Sequence, residues 1–182
     1  HPLRAEVVVM ATYEVIAHTE VGAGGSASVT FSSISAGYET LRLVAKLRGE
    51  TSATTQECMI RFNSDTGTNY NQQNLDSSTG TAVATRASGA AYISFIAAGA
   101  TSIADTFTPF DCWMPGYSST SFFKPASITA GGIISTTLND NRTYMIAGEW
   151  LATAAIATIL VQPVSGDIAQ YSTLTLYGIN GA

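Results

Sequence analysis

The chain has 182 residues, enough for one domain that buries about two thirds of its unfolded surface without metals or disulfide staples. Hydrophobic residues make up 46% and charged residues 12%, about half the usual share, so Ser, Thr, Asn and Gln must carry solubility, as in "NYNQQNLDSSTGT" and "STTLNDNRTY". With a formal charge of −5 and only 8 Lys and Arg, spread along the chain, there is no basic stripe for a nucleic acid backbone, and no apolar run reaches the roughly 18 residues that a bilayer demands.

The opening "HPLRAEVVVMATYE" has too short an apolar core for a signal peptide, and Glu6 interrupts it, so a non-secretory mature chain is expected. Residues 1–10 read as an N-terminal extension or arm, and 11–182 as a single domain. Alternation of apolar and polar residues begins at "YEVIAHTEV", with Tyr13, Val15 and Ala17 on one face, Glu14, His18 and Glu20 on the other, and one slip at Ile16. "GAGG" at 22–25 precedes no helix and reads as a connection, not a phosphate cradle. "ASVTFSSI" sets Val29 and Phe31 against Thr30 and Ser32. In "GYETLRLVAKLRGE", Leu41, Leu43, Ala45 and Leu47 oppose Arg42, Lys46 and Arg48, a period of 2 and not 3.6.

"QECMIRFN" follows, then "SDTGTNYN", which reads as a hairpin tipped by Asp65, Thr66 and Gly67. It lacks the bidentate Glu of a calcium loop. Further strand patterns are "TAVATRAS", "AAYISFIAAG", "DTFTPFDCWMPGY", "PASITAGGIIS", "TYMIAGEWLA", "AIATILVQPV" and "STLTLYGI"; the last is expected to tie the chain end into a sheet. "LATAAIATI" is the one stretch Ala-rich enough to hold a helical turn, and its Thr and Ile oppose it. Short strands separated by Gly, Asn, Asp and Ser predict an all-β sandwich of jelly-roll type with about eight to ten strands.

Chemistry is sparse. His1 and His18 are the two histidines and form no metal-ligand spacing; no GxSxG elbow occurs. Cys58 and Cys112 are too few for a disulfide framework and read as buried thiols, with one bridge between them the alternative. Asp105, Asp111, Asp140, Glu149 and Asp167 are the carboxylates that could pair for glycoside cleavage; most sit in turns, while Glu149 interrupts an apolar run beside Trp150. "WMPGYSSTSFFKP" gathers four aromatics around a Gly/Ser loop. Trp113 and Phe123 read as core residues at strand ends, and Tyr117 and Phe122 as candidates for a contact surface, where aromatic faces could stack on a sugar.

"YEVIAHTEVGAGGSASVTFSSISAGYETLRLVAKLRGE", "IRFNSDTGTNYNQQNL" and "GEWLATAAIATILVQPVSGDIAQYSTLTLYGI" resemble small structural proteins encoded by tailed bacteriophages, from about Tyr13 to Ile179. The "RFNxDTGxNY" turn and the closing "LYGI" are the most specific pieces. The resemblance implies a virion component with a β-sandwich fold, no catalytic motif and no cofactor. "HPLRAEVVV" departs from it; its Val7, Val8 and Val9 suit either an added edge strand on a neighbouring subunit or an extension of the chain's own first strand. The expectation is a capsid decoration or cement protein, not an enzyme, that contacts the major capsid protein and its own copies as a homotrimer. The alternative is a tail-fibre or tail-tip domain that reads a host surface glycan through Tyr117 and Phe122. A weaker third reading is a carbohydrate-processing enzyme acting through Glu149.

Overall fold

The computed structural model describes residues 12–77, 81–136 and 141–181, which contain no α-helix. Their strands are β1 (Thr12–Glu20), β2 (Val29–Phe31), β3 (Thr40–Leu47), β4 (Thr55–Phe62), β5 (Tyr70–Asp76) and β6 (Val83–Ala90). β7 (Ile93–Ala98), β8 (Thr108–Pro115), β9 (Lys124–Gly132), β10 (Arg142–Trp150), β11 (Ile159–Pro163) and β12 (Thr173–Asn180) complete the series. They form an eight-stranded sheet ordered β1-β12-β3-β8-β9-β10-β5-β6 and a four-stranded sheet ordered β2-β11-β4-β7.

Without the hairpins β5–β6 and β9–β10, two four-stranded sheets remain, β1-β12-β3-β8 and β2-β11-β4-β7. The chain steps from sheet to sheet through β1, β2, β3 and β4, and the later strands return between them: β12 lies between β1 and β3, β11 between β2 and β4. That interleaving is a jelly roll. Both hairpins are insertions, one between β4 and β7 and one between β8 and β11, and both widen the same sheet.

Burial follows period 2 wherever the core is closest. Leu41, Leu43, Ala45 and Leu47 are buried while Lys46 is exposed, as the alternation in β3 predicts. Across the sandwich, the rings of Phe95 on β7 and Phe110 on β8 have centroids 4.4 Å apart. Each such fully buried side chain contributes about 1.5–3 kcal/mol of transfer free energy.

Three expectations are corrected. First, the apolar set of β1 is split: a bulge between Val15 and Ala17 aligns Val15 with Tyr177 but Ala17 with Leu176. Tyr13 and Val15 therefore turn outward, 54% and 57% exposed, while Ala17 packs on the core. Second, "SDTGTNYN" is no hairpin, because β4 and β5 belong to different sheets. It is a corner, with Asn63 and Ser64 at φ +51° and +56°. Third, the described residues hold twelve strands where about eight to ten were expected, and β5, in "YNQQNLD", matches none of the strand patterns read from the sequence. Its buried residues are Tyr70 and Gln72, and the Gln72 Oε1 accepts from Ser94 N at 2.7 Å while its Nε2 donates to Ser94 Oγ at 3.1 Å. Hydrogen bonding between the sheets replaces apolar burial there. In "LATAAIATI", where Thr and Ile oppose a helical turn, none forms; the stretch runs as a loop into β11, pinned by Asn63, whose Nδ2 donates to Ala155 O at 2.7 Å.

Candidate partner-binding surface

The loop from 116 to 123 joins β8 to β9 at one end of the sandwich. Gly116, at φ +61°, turns the chain directly after the strand, and a Cβ there would lie 2.6 Å from Phe122 Cζ. The turn sends Tyr117 inward. It is 1% exposed, its hydroxyl donates to Ser35 O, and that same hydroxyl accepts from Tyr38 N at 3.3 Å. Tyr117 is thus a core residue that braces the β2–β3 connection and cannot meet a partner, which corrects the expectation of a contact role.

Phe122 is 48% exposed, as a contact residue must be. Phe123, expected in the core, is 45% exposed beside it. The core position at the start of β9 is taken instead by Lys124, which is fully buried. Its Nζ donates to Phe122 O at 2.6 Å and to Thr153 O at 3.0 Å, so it ties the aromatic tip to the β10–β11 loop. Burial pushes the Lys124 pKa below its ordinary value. Trp113 lies half-buried on the outer face of the large sheet, with the Arg42 guanidinium 4.7 Å from its ring centroid. Arg42 in turn grips Asp111 with two bonds, at 2.9 and 2.7 Å.

A concavity of about 790 Å³ opens on the large sheet where β8 and β9 part. Their pairing runs from Phe110 with Ala130 to Trp113 with Ser127 and goes no further toward Pro109, which has no N–H to donate. The exposed Met145 and Ile133 line this groove with Val44 and Thr129. Sequence reasoning missed it. The signals were Pro109 and the Gly131–Gly132 pair inside strand patterns, which mark a broken ladder.

Asp111 is consumed by Arg42, Glu149 faces outward half-buried across from Asn71 and Pro125, and Asp105 sits in a turn at φ +61°. Among the described residues, no three His, Cys, Asp or Glu side chains come close enough to hold a metal ion. Val7, Val8, Val9 and Asp140 lie outside the described residues. Cys58 and Cys112 are buried free thiols on opposite sheets.

The chain matches no protein-family model and no curated protein. A galectin from Caenorhabditis elegans, LEC-6, is a similar solved structure at 10% identity and a TM-score of 0.36, with 90% of this chain and 96% of that one covered. A likeness that distant assigns nothing to this chain.

Proposed function

We propose that this chain is a structural protein of a tailed-bacteriophage particle, a decoration or cement protein that binds the major capsid protein and its own copies. The observation that carries the reading is the braced pair Phe122–Phe123. Two large apolar side chains stand exposed on a loop whose backbone is fixed from beneath by Lys124. Rigid aromatic anchors give affinity because little conformational entropy is left to lose on docking. The sequence resemblance to phage structural proteins and a jelly roll, an architecture that serves both capsid and lectin domains, support the same reading. Its mechanism is mechanical: the tip and the surface around it bridge shell subunits and add binding energy, and a symmetric oligomer such as a trimer suits a symmetric shell.

The test is the copy number of the chain relative to the shell protein in purified particles, by quantitative mass spectrometry. A ratio near that of the shell protein is expected. A few copies per particle would overturn the cement role and favour a tail domain that uses Phe122 against a host glycan, which a glycan array would then detect.

A further inference from the structure

The edge of a β-sheet presents unpaired N–H and C=O groups to any chain that approaches, so native proteins shorten, charge or cover their edges. Among the described residues the sandwich has four edge strands: β2 and β7 on the small sheet, β1 and β6 on the large one. β2 is only three residues long. On β7 the donors Ser94 N and Ala98 N are taken by Gln72 Oε1 at 2.7 Å and Thr108 Oγ1 at 2.8 Å, both side chains of the large sheet. The small sheet is thereby closed to strand addition.

The edges of the large sheet are longer, and their devices are fewer: a bulge between Val15 and Ala17 and two glutamates on β1. β6 is eight residues long, exposed over most of both faces, free of proline, and carries one charge, Arg86. The side chains that reach its backbone, Asn71 to Gly89 N and Gln73 to Thr85 O, come from β5, the flank already paired. β1 is nine residues long and carries Glu14 and Glu20, both exposed. Every neighbouring pair in this sheet is antiparallel, and with eight strands the two edges run in opposite directions. A second copy set beside the first, with the same face outward, therefore presents β1 antiparallel to β6, ready to continue the ladder. A two-fold pairing of β6 with β6 would also be antiparallel, but it brings Arg86 toward its own copy, whereas the head-to-tail pairing brings Arg86 to the acidic edge.

We propose that copies of this chain associate head to tail through their large sheets, β1 of one adding to β6 of the next. A contact of this kind is heterologous and closes into a ring where the rotation per copy allows it. The inference specifies how the copies named in the cement reading meet, but it is argued from the two edges and not from contact with a shell.

The test is sedimentation velocity and hydrogen exchange of the full chain across a concentration series. Association by mass action above 19.0 kDa is expected. Amide protection should rise with concentration in residues 12–20 and 83–90 together. Glu20→Lys and Arg86→Glu, both at exposed positions, should each weaken association roughly two- to fivefold, and the double charge exchange should restore it. A monomer at every concentration overturns the proposal. So does protection that rises in 83–90 alone, or association indifferent to Glu20→Lys, since either would mark a two-fold β6 contact. Circular dichroism of the variants verifies that each is folded.

Discussion

Asp65 turns the β4–β5 corner with a carboxylate that accepts from Trp150 Nε1 at 2.7 Å, Asn69 Nδ2 at 3.0 Å and Gly67 N at 2.8 Å. The Trp150 bond, followed by that of Asn69, holds its pKa below the ordinary carboxylate value. A group whose pKa is lower in the folded chain contributes stability above its unfolded pKa and loses it as pH falls through the folded value. Asp65→Asn should therefore cost about 1 kcal/mol in urea unfolding at pH 7, and its deficit against the parent should shrink below about pH 4. Tyr117 and Phe122 should separate cleanly. Tyr117→Phe strands Ser35 O and Tyr38 N and should cost about 1–2 kcal/mol of stability with the tip intact. Phe122→Ala should leave unfolding nearly unchanged and weaken binding to shells by about 1–2 kcal/mol, read by co-sedimentation. The exchange of roles between Tyr117 and Phe123 was not legible, because it hangs on one backbone turn at Gly116 and on a lysine in a core position. Period 2 gives Lys124 the same facing as Ala126 and Ile128, but its charge argues for the surface until two carbonyls are known to receive it.

Among the elements, β3 was legible because its whole buried face is aliphatic, and β5 was not because its buried face has two residues, Tyr70 and the polar Gln72. β1 could be read only in part: Ile16 marked a slip, but which way the bulge turns Tyr13 and Val15 depends on their β12 partners. The two pieces that carry the phage resemblance prove to be fold-building. In "RFNxDTGxNY", Asn63 pins the β10–β11 loop, Asp65 caps the corner and the Tyr70 hydroxyl accepts from Phe62 N at 3.0 Å. In "LYGI", Gly178 lies under the Tyr38 ring, and a Cβ there would come within 2.5 Å of it. An aromatic ring wedged against backbone cannot swing aside as a flexible chain end does. Gly178→Ala should lower stability by about 1–3 kcal/mol, measured by the urea midpoint, by displacing Tyr38 and the β2–β3 connection.

At the scale of the molecule, the strand order was legible but its partition into sheets was not, since pairing such as β1 with β12 joins the two ends of the described chain. Partition matters for how the protein opens. The inserted hairpins widen only the large sheet, so β5 and β6 could unravel alone, yet the skeleton strands of both sheets enclose one hydrophobic core. The two thiols report on that core from opposite sides, Cys58 on β4 and Cys112 on β8. Burial pushes Cys58 up to about 12, with Glu57 adding to it, and pushes Cys112 up as well, with Asp111 adding. Neither forms appreciable thiolate at neutral pH, and neither can meet a reagent while the sandwich is closed. Both should therefore remain unlabelled by a thiol reagent at pH 8 in buffer, and in rising urea both should react along one curve that overlays the loss of β-sheet circular dichroism. Labelling of Cys112 ahead of Cys58 would instead mean that the large sheet opens first and that the insertions have split the jelly roll into separately melting units.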